Sequence, residues 1–326
     1  MPEIIYRGKA YSGEPDETVL DTLRRNDVNV PFSCCAGSCH TCMLHCLNGE
    51  ATASSQKDLK PALKALNYFL PCQCVPEHDL EVALPDAEDV YAPARLVEKE
   101  QLSPTVWRLR LETSVPIFYH AGQFLNLKNE AGWVRSYSLA SLPTEDEPLE
   151  IQVRRMPDGQ MSHWLVDEFS VGMHIEIEGP HGHCFYTNDA PDRSILMIGT
   201  GTGLAPLIGI VRDAMHQGHQ GEIHLYHGVR SQDELYLHDT LVDLVQQHGN
   251  VHYHGCVSGE EPAGDVKAGR ASEIALEEHP DLKDWQVFLC GSPEMVKKTR
   301  MKAYLAGAAM HDISADAFTL TPRDVA

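Results

Sequence analysis

The chain has 326 residues, room for two or three domains, and its 43% hydrophobic and 22% charged content is ordinary for a soluble protein. Its net charge of −21 argues against nucleic-acid binding, which needs a basic face to displace counterions, and favours partners with positive patches. The opening MPEIIYRGKAYSGEP carries charges at Glu3, Arg7 and Lys9 and lacks the apolar core of a secretion signal, and ten cysteines fit a reducing cytoplasm.

Residues 1–13 hold two short strand-like runs around Gly8-Lys9. Thr18 to Arg25 follows with Val19, Leu20 and Leu23 at helical spacing, capped by Asp16 or Thr18. Residues 33–42 read Ser-Cys-Cys-Ala-Gly-Ser-Cys-His-Thr-Cys, so Cys34, Cys39 and Cys42 stand in C-x4-C-x2-C order. Asn48-Gly49 signals a hairpin, Tyr68 to Cys72 brings back a fourth thiol, and Asp79–Leu84 closes the region as a strand. The cysteine spacing is that of a plant-type [2Fe–2S] loop, with Cys72 as the distant fourth ligand. Two irons bridged by two sulfides need two thiolates each, Gly37 lets the loop turn tightly, and loop N–H groups can point at the sulfurs. A structural zinc would prefer paired C-x2-4-C knuckles, and disulfides would need an oxidising compartment. Strand, strand, helix and cysteine loop together predict a β-grasp ferredoxin domain.

The loop and Cys72 resemble the ferredoxin domain fused to bacterial oxygenase reductases. That family more often has Gly where His40 stands, and the loop accepts His40 if its side chain points to solvent. Cys35, Cys46 and Cys74 lie off the spacing and read as buried fillers or bystanders.

Pro85 to Pro93 is acidic, bounded by prolines and without periodicity, which sets a first boundary near residue 90. Six short strand-like runs follow between Ala94 and Glu178, with one helical candidate at Ser162–Phe169, and predict a small antiparallel barrel. Arg135-Ser-Tyr137-Ser138 lies on one of these strands, with Arg135 and Tyr137 on one face and Ser138 on the other. Arg can bridge a phosphate, Tyr can lie flat on an aromatic ring, and Ser138 can hydrogen-bond a ring nitrogen. Gly159-Gln-Met-Ser162 opens the helix and can hold a pyrophosphate, and Gly179-Pro-His-Gly182 reads as a tight turn. The trio resembles the flavin-binding set of the ferredoxin–NADP reductase superfamily. It implies FAD, because relatives with an N-terminal ferredoxin domain use FAD.

From Arg193 apolar strands alternate with helices, which predicts βαβ units and a parallel sheet. Ser194 to Val211 has 18 uncharged residues, but its glycines and Pro206 make a strand–turn–helix more plausible than a membrane span. Gly199-Thr-Gly201-Thr202-Gly203-Leu-Ala-Pro206 brings backbone and a helix start near phosphate oxygens. It matches the G-x-G-x-G-x-A-P form of the same superfamily. Gly228-Val-Arg230-Ser231 and Cys290-Gly291-Ser292-Pro-Glu-Met295 end further strands, where a dinucleotide should lie. The resemblance places Cys290 near the nicotinamide and Phe318 over the flavin. Arg230 could meet a 2′-phosphate, yet the GVRS run looks like that of NADH-dependent members. His181-x-His183 and His252-x-His254 could each hold a metal, but spacing supplies no third ligand.

The expected architecture is therefore three domains: ferredoxin at 1–90, an FAD-binding β-barrel at 91–190 and an NAD(P)-binding α/β domain at 191–326. The expected function is electron transfer from NAD(P)H through FAD to the cluster and on to a redox partner, an oxygenase component or an intermediate ferredoxin. The resemblance to reductases of Rieske dioxygenases and diiron monooxygenases covers nearly the whole chain. A deoxysugar dehydratase reductase has a similar architecture, and a non-catalytic iron–sulfur sensor is the reading from another class.

Overall fold

The structure is a computed structural model describing residues 2–85 and 90–319. The described residues gather into two compact units. The first takes the N-terminal 93 positions with 126–136 and 175–181, and the second takes 94–125, 137–174 and the chain from Gly182 onward. Two stretches of the expected barrel thus pack with the N-terminal region.

Five strands form the first sheet: β1 (Glu3–Tyr6), β2 (Lys9–Ser12), β3 (Leu44–Asn48), β4 (Tyr68–Phe69) and β5 (Leu80–Ala83), in the order β2-β1-β5-β3-β4. β1 runs parallel to β5 and the other pairs are antiparallel. The helix Val19–Arg25 is capped by Thr18, whose Oγ1 accepts from the Asp21 N–H at 3.1 Å. Such a cap contributes about 1 kcal/mol. Val19, Leu20 and Leu23 are buried in one core with Ile4, Leu44, Phe69 and Leu80, each large apolar side chain adding about 1.5–3 kcal/mol. Asn48-Gly49 does not make a hairpin. The next strand begins only at Tyr68, because the chain first passes through a short turn of helix at Ala53–Gln56 and the helix Pro61–Ala65.

The second sheet comprises β6 (Ala92–Gln101), β7 (Val106–Thr113), β8 (Phe124–Lys128), β9 (Val134–Ser138), β10 (Leu149–Arg154) and β11 (His174–His181), ordered β10-β7-β6-β11-β8-β9. An antiparallel bridge between Leu139 and Ile151 joins its two ends and closes the barrel. The helix expected at Ser162–Phe169 starts earlier, as an α turn at Gln160–His163 that widens into a π turn at Trp164–Glu168. The run Gly179 to His181 stays in β11 rather than forming a tight turn, and its Gly179–Pro180 peptide is cis.

The third sheet is parallel throughout: β12 (Ile195–Thr200), β13 (Ile223–Val229), β14 (Val251–Val257), β15 (Lys267–Ala268), β16 (Gln286–Gly291) and β17 (Ile313–Ala317), ordered β15-β14-β13-β12-β16-β17. The connections run outward in one direction from β12 to β15 and in the other through β16 and β17. The strand order therefore reverses between β12 and β16, where such sheets bind ligands. No described helix is long and apolar enough to cross a membrane, and Ser194–Val211 contains β12, its turn and the start of the helix Leu204–His216.

Candidate functional site

In the first unit the four thiols converge in two pairs, Cys34 with Cys39 and Cys42 with Cys72, each within hydrogen-bond reach. Hydrogen bonding lowers Cys34 and Cys72 below the ordinary thiol value, while hydrogen bonding to the paired thiol and burial raise Cys39 and Cys42. Two thiol pairs are the donor set two bridged irons require. Backbone N–H groups also aim at the sulfurs: Ala36 donates to Cys34 Sγ at 3.4 Å and Cys34 to Cys39 Sγ at 3.5 Å, while Gln73 Nε2 donates to Cys72 Sγ at 3.6 Å. Gly37 has φ +80°, which favours glycine, and a Cβ there would lie 2.9 Å from Gln73 Cγ, so any larger residue would push the Gln73 side chain aside. The residues fit a [2Fe–2S] cluster.

His40 does not point to solvent. It is 9% exposed, adopts a left-handed φ of 56°, and sets its ring edge-on to His181 with centroids 4.4 Å apart. Desolvation pushes its pKa down to about 4, so the imidazole packs as a neutral ring. The His181 partner is Glu178, at 2.6 Å from Nε2, a contact between strand residues that no spacing rule announces. Among the other histidines, His252 Nε2 meets Glu222 Oε2 at 2.6 Å. Cys46 and Cys74 are buried and Cys35 is exposed.

Of the flavin-type residues, Arg135 is half-buried and donates from Nη1 to its neighbour's carbonyl at Val134. Tyr137 is half-buried on the same strand and Ser138 is buried. In the second unit Ser138 Oγ donates to Asp316 Oδ2 at 3.3 Å, and Asp316 is the register partner of Cys290 across β16 and β17. Asp316 thus stands between the two residues expected to act in chemistry. Desolvation pushes its carboxyl up to about 6. Nothing in the sequence pattern singles out Asp316. Gly159 opens its helix without a side-chain cap, leaving amide N–H groups available to an anion. Ser162 braces that turn, donating to the Gly159 carbonyl at 2.9 Å and accepting from the Met156 N–H at 3.1 Å. The donor set suits a phosphate.

Still in the second unit, a cleft of about 470 Å³ opens at the carboxyl ends of the parallel strands. Gly201, Thr202, Gly228, Arg230, Gly291, Ser292, Met295 and Phe318 line it. Gly203, Pro206, Ser231 and Cys290 do not. Gly203 packs beneath the floor: a Cβ there would meet the Cys290 carbonyl at 2.2 Å. Pro206 is buried in its helix, and Ser231 Oγ donates to Asp233 Oδ1 at 2.5 Å. Cys290 is fully buried, with its sulfur 3.6 Å from that of Cys184. The cleft adds cations the sequence did not single out, notably Arg154, Arg270 and Lys298, with Arg154 paired to Glu234 at 3.0 Å. Thr105 Oγ1 is buried without a hydrogen-bond partner at the same cleft. Cationic walls and strand-end amides fit a dinucleotide's phosphates.

Three domain families match the chain in turn: 2Fe-2S iron-sulfur cluster binding domain over residues 5–77, oxidoreductase FAD-binding domain over 93–186 and oxidoreductase NAD-binding domain over 197–301. Fold and sites thus define an NAD(P)H-dependent flavoprotein oxidoreductase with a [2Fe–2S] cluster. The chain is 31% identical to the ferredoxin–NAD(P)+ reductase component of the naphthalene 1,2-dioxygenase/salicylate 5-hydroxylase systems of a Ralstonia species, over 94% of this chain and 95% of that one. It is 33% identical to the reductase subunit of an Amycolatopsis aromatic O-demethylase, over 89% and 90% of the two chains. A crystal structure of the Amycolatopsis cytochrome P450 reductase GcoB superposes with a TM-score of 0.71 at 30% identity, covering 99% of this chain and 100% of that one. The chain belongs to the family of ferredoxin–NAD(P)+ reductase components of oxygenase systems. Membership in an enzyme family removes the non-catalytic sensor as a reading.

Proposed function

We propose that the protein carries electrons from NADH through FAD and the [2Fe–2S] cluster to an oxygenase component in the cytoplasm, with residues 1–90, 91–190 and 191–326 holding the three cofactors in turn. The observation that carries this reading is the presence in one chain of two paired thiol sets, a flavin-type strand and a cationic cleft at a switch point. When bound, the flavin takes two electrons as hydride and releases them singly, as the one-electron cluster requires.

The chain's own residues do the rest. Cys34, Cys39, Cys42 and Cys72 hold the cluster. Arg135, Gly159 and Ser162 would bind or shape the site for the FAD phosphates, and Tyr137 and Ser138 would hold the ring. Gly201, Thr202, Gly228, Arg230, Gly291, Ser292 and Met295 receive the dinucleotide. Gly203, Pro206 and Ser231 shape the turns around it. Cys290 would back the nicotinamide subsite, and Phe318 would shield the flavin. NADH is favoured because the Gly228-Val-Arg230-Ser231 run at the cleft resembles that of NADH-dependent members of the superfamily.

Relatives at 30–33% identity serve naphthalene dioxygenase, O-demethylase and alkene monooxygenase systems, which supports an oxygenase acceptor. A second reading, the reductase of a deoxysugar dehydratase, is supported by a Yersinia pestis CDP-6-deoxy-L-threo-D-glycero-4-hexulose-3-dehydrase reductase 27% identical over 95% of this chain. Anaerobic titration with NADH and NADPH, followed by visible and EPR spectra, tests the cofactor route. Rapid flavin bleaching without any reduced-cluster signal would overturn it. Turnover with a purified aromatic oxygenase against a sugar-nucleotide dehydratase separates the two acceptors.

A further inference from the structure

The first unit contains a buried polar junction that the cofactor motifs do not explain. Asn126 on β8 is 1% exposed. Its amide nitrogen donates to the Cys39 carbonyl at 2.8 Å and to Glu178 Oε2 at 2.7 Å. Its oxygen accepts from Ser136 Oγ at 2.7 Å and from Thr41 Oγ1 at 3.5 Å. Every hydrogen-bonding position of the side chain is therefore used. A buried amide costs free energy unless its partners are in place, and a fully satisfied one fixes the segments it joins.

The identity of those segments gives the junction its meaning. Cys39 and Thr41 belong to the cluster loop, and Cys39 is a cluster ligand. Ser136 is the middle residue of Arg135-Ser-Tyr137-Ser138, the flavin-type strand. Glu178 anchors the junction from β11, where His181 holds it at 2.6 Å. Two consecutive hydrogen bonds thus run from the carbonyl of a cluster ligand through Asn126 to the strand assigned to FAD.

We propose that Asn126 and Ser136 are positioning residues for the internal electron transfer, holding the cluster loop at a fixed distance from the flavin strand and bridging the gap between them with hydrogen bonds. The proposal rests on the assignment of Arg135, Tyr137 and Ser138 to FAD. With the cofactors bound, each hydride would leave NAD+ behind and bring two electrons and a proton. The electrons would cross singly, the first reducing the cluster and passing to the acceptor before the second follows, and the proton would be released to solvent as the flavin is reoxidised. Each through-space gap replaced by a hydrogen bond speeds such a crossing, and loosened positioning slows it.

The test uses the holoenzyme mixed anaerobically with NADH in a stopped-flow instrument, with flavin and cluster bleaching followed separately. Asn126→Leu keeps the side-chain size and removes all four bonds, while Ser136→Ala removes one. Flavin reduction should be unchanged in both, and cluster reduction should slow ~10-fold or more in Asn126→Leu and by a smaller factor in Ser136→Ala. Ser136→Thr, which keeps the hydroxyl, should restore the rate. The visible circular dichroism of the oxidised cluster should change in Asn126→Leu, because Cys39 loses the donor on its carbonyl. If Asn126→Leu loses iron or fails to fold, Ser136→Ala and its threonine rescue decide the matter.

Cluster bleaching that keeps pace with flavin bleaching in variants with full cofactor content would overturn the proposal, even if their melting temperatures fell. The assignment beneath it fails by a different sign: Arg135→Ala retaining its full FAD after dilution.

Discussion

The cluster loop and the nicotinamide cleft solve the problem of holding a cofactor in opposite ways. The loop uses side chains: three thiols within nine residues and a fourth returned by the chain at Cys72. The cleft uses backbone and position, drawing on the ends of β12, β13, β16 and β17, with cations from neighbouring helices and Arg154 from the barrel. One site therefore depends on which atoms are present, the other on which atoms are kept out. Losing a side chain should ruin the first, and gaining one should ruin the second.

Cys72→Ser is the sharpest break. It should abolish the reduced-cluster EPR signal and cytochrome c reduction while leaving NADH reduction of the flavin intact, and a normal cluster signal would remove Cys72 from the ligand set. Gly203→Ala tests the opposite rule by adding one carbon against the Cys290 carbonyl at 2.2 Å. Overpacking of this kind costs about 1–3 kcal/mol. It should show as a lower melting temperature and a raised KM for NADH, and unchanged values for both would show that the turn has room.

Arg135→Ala should weaken FAD retention by about tenfold or more, since a hydrogen bond to a charged group contributes about 1.5–3 kcal/mol. Flavin content measured after dilution reads it directly. Asp316 gives a pH signature. Its carboxyl is raised to about 6 from an ordinary 3.8, so between those values the folded chain binds more protons than the unfolded one. This contribution makes stability fall as pH rises through that window and level off above it. Melting temperatures of wild type and Asp316→Asn at pH 5 and 7 should differ in slope, the variant losing less on the way up. Cys290→Ala should have the smallest effect, a few-fold slowing of hydride transfer by stopped flow. No slowing at all would make Cys290 a packing residue paired with Cys184.

The difference between the two regions also explains what could be read in advance. The convergence of Cys34, Cys39, Cys42 and Cys72 was legible because residue type and spacing are written along the chain. The strand–turn–helix from Ile195 to His216 was legible because apolar periodicity and glycine placement have local causes. The Asn48-Gly49 pair misled, because the same dipeptide serves a turn into a longer loop. His40 misled for a different reason: its environment is set by His181, 141 positions away in the sequence.

Sequence alone settled the three cofactor modules and their order and singled out the four thiols that converge in the structure, since each depends on residue type at short range. Only the tertiary structure decided that Asn126 joins Cys39 to Ser136, that Asp316 stands between Ser138 and Cys290, and that Arg154 enters the cleft at the carboxyl ends of the parallel strands. These are contacts between strands distant along the chain. Pairing register and burial create them, and neither is encoded in the spacing of any single segment.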